Sequence, residues 1–541
     1  IDLQKIILII SMKLILYTEK YIFIMIVISL IGFAIYFIYN NVGTDNKNKA
    51  EETIQTVQYS KEITIGVSKY DNINPIVTNN KEIINISKLI FEPLISLDEE
   101  YKKELCLAKE CAKINSSSYL IKINNDIKWS DGTNLKVEDV EFTINKLKDG
   151  NYVYSSNVSE VSQVQLIDDS TIRIDLNKEN DYFEDNLVFP ILQKSNYING
   201  DLSKNNGIIN GTGMYKIISI DNNKIVLEKN DNWREKDKIS KIEKINILLF
   251  SDMGELYNSF KIGNIDIIHT SNTNYQEYIG TLGYKVKEYK GRELDFLSLN
   301  CENEILSQKE VRKAIAFAID KSNIIQEVYN NKYYISSGVL DYGTYLYKKE
   351  NVSLGYNSEQ SKKILSEAGW TYKNNKWQKK NSSGITKNLS FNLIVQTNNE
   401  KRLQVAELIK EQLKQIGIEI SIKKVNDAQY KDYLQNKNYD IILTGINNGF
   451  SSDLQYFYGK NNLAKYNNTE VQEIINEVKK ISDDKLVCEK YNRLFEIMQD
   501  DIPYITLYRN KNMLILNQKV SGEVNPNNYS LFYNFWTWCK Q

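Results

Sequence analysis

The residues best suited to catalysis in this chain are few and isolated. His269 is the only histidine among 541 residues, and its Ile-Ile-His-Thr setting is typical of a strand end. The run Trp129–Gly132 (WSDG) places a serine beside a carboxylate, but no base is positioned to activate that hydroxyl. No Gly-x-Ser-x-Gly or His-Glu-x-x-His pattern occurs. The sequence therefore predicts a protein that is not an enzyme, with a structural His269.

The glycines and cysteines do not indicate a phosphate or metal site either. Gly211 and Gly213 are followed by Met-Tyr-Lys, which matches neither a dinucleotide-binding loop nor a P-loop. The five cysteines include no Cys-x-x-Cys pair of the kind that zinc ribbons use. We therefore predict no cofactor and no metal ligands. Pairing of Cys106 with Cys111 is left open, because a reduced, structural role suits them equally well.

Composition and charge indicate a globular protein with no nucleic-acid partner. Hydrophobic residues make up 42% of the chain and charged residues 25%, and 68 basic against 69 acidic residues leave a formal net charge of -1. This balance produces no electrostatic field that favours nucleic acid. A chain of 541 residues is longer than one core usually supports, so roughly two or three domains are expected.

One segment near the N-terminus has the character of a membrane-spanning helix. Residues 21–39 (YIFIMIVISLIGFAIYFIY) carry no charge, and as a helix they would rise about 28 Å, close to the roughly 30 Å of a hydrocarbon core. Lys13 and Lys20 precede the segment, which predicts that residues 1–20 are cytoplasmic and the remainder is extracytoplasmic. Because bulky residues end the apolar run, an uncleaved signal anchor is predicted over a cleaved signal peptide.

The residues on either side of the anchor complete this interpretation. Met12 is a candidate translation start, and it is left open whether residues 1–11 belong to the natural protein. Residues 40–60 are poor in large apolar side chains and are predicted to be a flexible tether. The expected location is the extracytoplasmic face of the cell membrane.

Beyond the tether, short strand patterns alternate with helical patterns. Period-two alternation predicts strands, and apolar residues spaced by three and four predict helices. This is α/β or α+β patterning without internal repeats. The predicted strands include 62–67, 119–123, 171–176 and 418–422, and the predicted helices include 81–91, 137–147, 309–319 and 401–416.

A series of short motifs follows along the chain in one order. They are Asn74-Pro75 with Phe91–Leu94, Ile127–Val140 (IKWSDGTNLKVEDV), Gly211–Lys216 (GTGMYK), Leu227–Trp233 (LEKNDNW), Val311–Lys321 (VRKAIAFAIDK), Tyr356–Trp370 (YNSEQSKKILSEAGW), Leu408–Ile420 (LIKEQLKQIGIEI) and Tyr439–Gly445 (YDIILTG). In this order they resemble the family 5 extracellular solute-binding proteins, which include the oligopeptide- and dipeptide-binding proteins of ABC importers. The resemblance runs from about Glu62 to near the C-terminus.

The resemblance implies a two-lobe, periplasmic-binding-protein-like α/β (α+β) fold of the large class. In that fold one lobe is discontinuous, a smaller domain is inserted, and the lobes close on a ligand about a hinge. The expected boundaries are residues 61–88, 205–298 and 510–541 for lobe I, 89–204 for the inserted small domain, and 299–509 for lobe II.

The resemblance also implies a function. A member of this family would capture a peptide or peptide-like ligand between its lobes and deliver it to the permease of an ABC transporter with its ATPase subunits, acting as a monomer. Two alternatives stay open at this point. One is a surface peptide receptor or sensor that does not transport, and the other is a binder of a non-peptide solute such as a nickel chelate, haem or an oligosaccharide.

Candidate ligand-binding residues follow from the same resemblance. One group lies after Asn74-Pro75, a second lies after Tyr439–Gly445, and two tyrosines follow the predicted helix 137–147. These candidates are Asn79, Asn80, Lys81, Tyr152, Tyr154, Ile446, Asn447, Asn448, Gly449, Phe450 and Asp453.

The second group departs from the family pattern. Peptide-binding members typically read Gly-Trp-x-x-Asp there, and the acid pairs with the α-amine of the ligand. This chain has Ile446 in place of the tryptophan and Gly449 in place of the acid. Burying an ammonium group without a charged partner costs several kcal/mol. Either another acid supplies the charge, with Asp453 the nearest in sequence, or the ligand has no free amine.

Overall fold

The computed structural model describes residues 59–202, 207–271, 275–279, 283–347 and 354–541. The expected cytoplasmic segment, the anchor at 21–39 and most of the tether lie outside these ranges. Within the described ranges, no helix is long and apolar enough to span a bilayer.

The strands are numbered in chain order. They are β1 (Glu62–Ser68), β2 (Ile95–Leu97), β3 (Lys103–Leu105), β4 (Ala108–Asn115), β5 (Ser118–Ile123), β6 (Val161–Asp168), β7 (Thr171–Leu176), β8 (Tyr215–Ile220), β9 (Lys224–Lys229), β10 (Lys244–Phe250), β11 (Ile267–Thr270), β12 (Tyr284–Leu299), β13 (Tyr333–Ile335), β14 (Thr371–Lys373), β15 (Lys376–Lys380), β16 (Thr386–Asn388), β17 (Ser390–Gln396), β18 (Glu419–Val425), β19 (Ile441–Asn447), β20 (Tyr504–Asn517), β21 (Val520–Ser521) and β22 (Cys539–Lys540).

The α-helices of the described residues are numbered in the same way. They are α1 (Lys81–Ile86), α2 (Val137–Asp149), α3 (Met253–Lys261), α4 (Lys309–Ala318), α5 (Lys321–Tyr329), α6 (Ser358–Glu367), α7 (Glu400–Gln415), α8 (Asp427–Asn436), α9 (Gln455–Tyr458), α10 (Thr469–Val478) and α11 (Asp484–Asp501).

One large sheet organises both lobes. Its strand order is β18-β17-β19-β12-β20-β11-β1-β10-β9-β8, and β13 adds to β20. The neighbours β12 and β20 are the longest strands, of 16 and 14 residues, and they pair antiparallel along most of their length. One half of this pair continues through β11 into β1 and β10, and the other half continues through β19 into β17 and β18. The two strands therefore pass from one lobe into the other.

The passage between the lobes coincides with an irregularity in the sheet. The β12–β20 register shifts between Lys290 and Leu294, so the residues between them leave the regular ladder. Such bulges bend a strand and redirect its side chains. Only these two long strands cross here within the described part of the sheet, and we refer to the segment Lys290–Leu294 with its partners on β20 as the hinge segment.

The segment that was expected to form an inserted domain has a sheet of its own. Its antiparallel order is β4-β5-β7-β6, and α2 packs against β6 and β7. Buried side chains of this sheet, such as Ile121 and Ile172, join one continuous apolar core with Ile63 and Leu514 of lobe I. Lobe II is filled by two other apolar clusters, one of which also contains Leu97, Tyr101 and Val188 of the inserted segment. The inserted segment thus shares its own sheet's core with lobe I and also contacts lobe II.

Short-range rules account for two local features of the fold. Trp129 is buried, and the next residues turn tightly, with Thr133 N–H donating to Asp131 Oδ1 at 2.9 Å and Gly132 at φ 87°. The predicted helix 309–319 appears as α4 and stops one residue early. The reason is that Asp320 is already the N-cap of α5, and its Oδ1 accepts from Asn323 N–H.

The predicted helix at 81–91 is shorter than the apolar spacing indicated. It is α-helical only as far as Ile86 and then tightens into a 3₁₀ turn, Ser87–Leu89. The Ser87 hydroxyl donates to the Ile84 carbonyl at 2.8 Å, which is the local hydrogen bonding by which serine competes with helix continuation.

The Gly-Thr-Gly motif at Gly211–Gly213 allows two backbone segments to pack closely together. A Cβ atom on Gly211 would lie 1.9 Å from the Ile90 carbonyl oxygen. At Gly213 the backbone N–H donates to the same oxygen at 2.8 Å. The motif therefore exists because two backbone segments approach too closely for any side chain.

This contact gives a stability prediction. Gly211→Ala should lower the free energy of unfolding by about 1–3 kcal/mol, because the backbone around Ile90 must shift. Gly355→Ala is the matched control, since a Cβ there meets nothing within 4 Å, and it should be nearly neutral. Guanidinium unfolding followed by circular dichroism compares them, and equal midpoints would contradict this role of Gly211.

Candidate ligand-binding cleft

A cavity of about 730 Å³ lies where the two lobes meet the crossing strands. Helices α1 and α3 and the end of β11 supply its lobe I wall, and the end of β19 supplies its lobe II wall. Most of its polar side chains are neutral. The lining residues are Lys81, Glu82, Ile84, Asn85, Met253, Gly254, Tyr257, His269, Thr270, Ser271, Tyr289, Arg292, Glu293, Asn447, Asn510, Asn512, Asn527 and Asn528.

The first two residues of α1, Lys81 and Glu82, line this cavity. Asn80 caps the helix, because its Oδ1 accepts from the backbone N–H of Glu82 at 3.0 Å while its Nδ2 donates to the Ser68 carbonyl at 2.7 Å. Asn79 is exposed, and its backbone N–H donates to Asp71 Oδ2. Of the predicted group, Lys81 therefore lines the cavity, whereas Asn79 and Asn80 shape the turn that positions it.

The single histidine lies in the lobe I wall. His269 is in β11, as its sequence setting predicted, and its Nε2 lies 3.2 Å from the Tyr289 hydroxyl. Its Nδ1 lies 3.7 Å from Glu82 Oε1. Burial acts to raise the pKa of Glu82, but the contact with His269 and hydrogen bonding outweigh it, so that this pKa is lowered. Sequence reasoning gave His269 a structural role and did not place it in the cleft.

The second predicted group divides between the cavity and the hinge. Asn447 ends β19 and lines the cavity. Ile446 packs on the lobe II core, and the Gly449 carbonyl accepts a hydrogen bond from the Tyr342 hydroxyl at 3.3 Å. Gly449 thus occupies a loop outside the lining of this cavity.

Asn448 and Phe450 hold an arginine of the hinge. The backbone N–H of Asn448 donates to the Arg292 carbonyl at 3.1 Å, and the Arg292 guanidinium donates back to the Asn448 carbonyl. The same guanidinium lies over the Phe450 ring at 4.0 Å from its centroid, a favourable cation–π geometry. Their contacts position Arg292 at the edge of the cavity.

The remaining predicted residues lie outside the lining of the cavity. Asp453 is exposed, and its Oδ1 accepts from Gln455 N–H at 2.8 Å. Tyr152 and Tyr154 pack against the core that lobe I shares with the inserted segment. Burial raises the pKa of Tyr154 above its ordinary value.

A buried ion pair between Arg509 and Asp341 lies next to the hinge segment. Arg509 and Asp341 are 0% and 4% exposed, and the guanidinium Nε donates to Asp341 Oδ1. Lys290 Nζ lies 3.5 Å from Asp341 Oδ2. Burial acts to raise the pKa of Asp341, but Arg509 and Lys290 hold it below its ordinary value of 3.8.

The cleft is equipped to bind a polar ligand. Amide, hydroxyl and phenol groups of lobe I and the crossing strands line it together with the Asn447 amide of lobe II, and such groups donate and accept hydrogen bonds. Among the residues that the structure describes, no group of three histidine, cysteine, aspartate or glutamate side chains could hold a metal ion. All five cysteines are free thiols.

Known proteins share this architecture. The chain is 22% identical over 509 residues to the oligopeptide-binding protein AppA of Bacillus subtilis (strain 168), covering 89% of this chain and 92% of AppA. It is 22% identical over 451 residues to heme-binding protein A of Haemophilus influenzae, covering 76% and 79%. The unliganded open form of the murein tripeptide binding protein MppA superposes with a TM-score of 0.74 at 17% identity, covering 89% of this chain and 98% of MppA.

The fold has two lobes joined by two crossing strands around a polar cleft. This is the architecture of a two-lobe binding protein. Residues 105–468 match the family model of the bacterial extracellular solute-binding proteins, family 5. The chain belongs to that family.

The hinge pair gives a second prediction. Asp341→Ala leaves the Arg509 guanidinium buried without its counter-charge, so the free energy of unfolding at pH 7 should fall by about 3–5 kcal/mol. The matched control is Asp500→Ala, which removes an exposed partner of Lys309 and Lys313 and should cost less than about 1 kcal/mol.

The same pair should depend on pH in a defined direction. A carboxyl group whose pKa is lower in the folded state stabilises the fold above its unfolded pKa and loses that contribution as pH falls. The difference between wild type and Asp341→Ala should therefore be constant from about pH 5 to 7 and shrink below about pH 4. Urea unfolding at a series of pH values measures it, and a difference that grows in acid would contradict the assignment.

Proposed function

We propose that this protein is the extracytoplasmic substrate-binding component of an ABC importer and that it captures peptides or peptide-like solutes between its lobes. The observation that carries the proposal is the cleft of about 730 Å³, which both lobes and both crossing strands line within a family 5 fold. The captured ligand would be delivered to the permease and ATPase subunits without chemical change.

The chemistry of the lining favours a peptide over a large apolar cofactor. Asparagine supplies much of the wall, at Asn85, Asn447, Asn510 and Asn512 among others. A side-chain amide both donates and accepts, as the repeating backbone amides of a peptide require. Haem would need an extended apolar slot, and few apolar side chains line this cavity.

Closure about the hinge completes the proposed mechanism. Ligand contacts made by both lobes at once would favour the closed population, because only the closed form satisfies them together. Lobe II already contacts the inserted segment where Ser451 Oγ donates to Asp185 Oδ2 at 2.7 Å and Lys479 lies 3.3 Å from Asp181. We assign residues 61–88, 205–298 and 510–541 to lobe I, 89–204 to the inserted domain and 299–509 to lobe II.

Direct ligand contact is proposed for Lys81 and Asn447, which line the cleft. Asn79, Asn80, Asn448 and Phe450 support the walls through the contacts described above. For the N-terminus we propose an uncleaved anchor at residues 21–39, which would hold a monomer on the outer face of the membrane beside its permease.

Ligand capture is testable by native mass spectrometry of the full chain, extracted in mild detergent and offered a pool of random tetrapeptides. Asn447→Trp places a large ring in the cavity and should reduce peptide occupancy at least tenfold. Asn476→Trp, at an exposed position of α10, is the matched control and should bind as wild type does. A wild-type protein that carries no peptide, or that carries haem instead, would contradict the proposal.

The anchor is tested separately. Intact mass spectrometry of the protein recovered from membranes should show that residues 21–39 are retained, and alkaline carbonate should fail to extract it. Replacing Ile28 and Ile31 by aspartate should shift the protein towards the soluble fraction, because each charge costs roughly 2.5–3.5 kcal/mol at the centre of a bilayer. A mature chain that begins after residue 39 would refute the uncleaved anchor.

A further inference from the structure

A second, smaller pocket lies behind the lobe I wall of the cleft. Its volume is about 200 Å³. One short segment separates the two spaces, since Asn527 and Asn528 line the cleft while Tyr529 and Ser530 line the pocket. The other sides come from the segment after α1, from the residues just before β8 and from the loop after β9. The predicted ligand-binding residues all lie outside this pocket.

The pocket contains a lysine that has no acidic partner. Lys88 Nζ lies 3.5 Å from the centroid of the Tyr529 ring and donates to the Tyr529 carbonyl. No carboxylate oxygen of the described residues lies within 4.0 Å of this nitrogen. Burial, together with the charge of Arg292, lowers the pKa of Lys88 to about 7. This is the direction expected for an ammonium group that is shielded from water without a counter-ion.

The acids of the pocket do not supply that counter-ion. Glu92 is buried, and its Oε1 accepts hydrogen bonds from Trp233 Nε1 and Arg234 Nε, both at 3.3 Å. Glu104 is exposed. An ammonium group that is removed from water is stabilised by an anion that also accepts its hydrogen bonds. The backbone carbonyl takes one of the three donors of Lys88, so two remain for an anionic ligand.

The rest of the lining determines the body of that ligand. Aromatic rings packed edge-to-face or offset against one another attract beyond the apolar area that they bury. A volume of about 200 Å³ is smaller than the roughly 300–1,000 Å³ of pockets for drug-sized molecules, so it suits a ligand with a single ring. The aromatic side chains that line the pocket include Phe91, Trp233, Phe532, Tyr533 and Trp536.

We propose that this pocket binds a small aromatic carboxylate, whose carboxylate group pairs with Lys88 and whose ring packs among the aromatic side chains. The site is separate from the cleft between the lobes, and it does not depend on the proposed function. Its ligand is held by an ion pair, hydrogen bonds and apolar packing, without covalent change.

The test uses 4-fluorobenzoate as the probe and 4-fluorobenzamide as its neutral counterpart. Each is titrated into the full chain in mild detergent, and binding is followed by the broadening of the ligand's fluorine NMR signal. Samples of detergent alone correct for uptake into micelles. Because only the carboxylate can neutralise Lys88, the wild-type protein should bind it at least tenfold more tightly than the amide.

Four variants locate the site. Lys88→Met keeps an unbranched side chain without the charge and should weaken fluorobenzoate binding at least tenfold. Lys122→Met makes the same change at an exposed lysine of β5 outside the pocket and should bind as wild type does. Ser96→Trp fills the pocket and should abolish binding of both probes. Asn447→Trp obstructs the cleft instead and should leave fluorobenzoate binding unchanged. Thermal melting checks that each variant is folded.

Three outcomes would overturn the proposal. The first is a wild-type protein that binds fluorobenzoate no more tightly than fluorobenzamide, or binds neither at millimolar concentration. The second is undiminished fluorobenzoate binding by folded Lys88→Met. The third is binding that survives in Ser96→Trp and is lost in Asn447→Trp, which would move the ligand from the pocket to the cleft.

Discussion

The architecture depends on one buried guanidinium at the point where the sheet passes between the lobes. Arg509 lies in β20, and its fork donates to Asp341, to the carbonyls of Arg292 and Val339, and to the Asn448 side chain. These partners come from three segments far apart in sequence. A buried ion pair contributes little net stability when it forms but costs much when it is broken, so its value is that it specifies one arrangement. Arg509 thereby holds the strand bulge and the loop after β19 in a fixed relation.

The contacts of Arg509 explain why some charged residues near the cleft already have partners within the protein. The charges of the hinge segment already have partners within the protein, since Arg292 lies over the Phe450 ring and Asp341 pairs with Arg509. Most of the other polar side chains that line the cleft are neutral, and six of them are asparagines. Neutral amides adapt to many ligands because each of them both donates and accepts. A wall of adaptable amides, next to charges that already have partners, is suited to binding varied solutes of one chemical class.

Local sequence signals predicted much of the fold and little of the site. The Trp129–Gly132 turn and helix α4 follow from short-range rules, since a turn or an apolar helix face needs only neighbouring residues. The cleft is different, because His269, Tyr289 and Asn447 lie on three strands that are distant in sequence. They are β11, β12 and β19, and they come together because β20 pairs with both β11 and β12 while β19 pairs with β12. Strand register over such separations leaves no local pattern. The residues after Gly445 looked alike in sequence, yet the structure assigns Asn447 to the cleft and Asn448 to the hinge.

The continuity of the two long strands has a mechanical consequence. Two hydrogen-bonded strands form a ribbon that can twist and flex across its width, whereas sliding one past the other would break the ladder that joins Tyr284 to Asn517 and Ser298 to Tyr504. Movement of the lobes is thereby reduced to nearly one angular coordinate. Occupancy of the cleft is then encoded in the orientation of two rigid bodies, so a distant surface on either lobe can transmit it without any change in its own local structure.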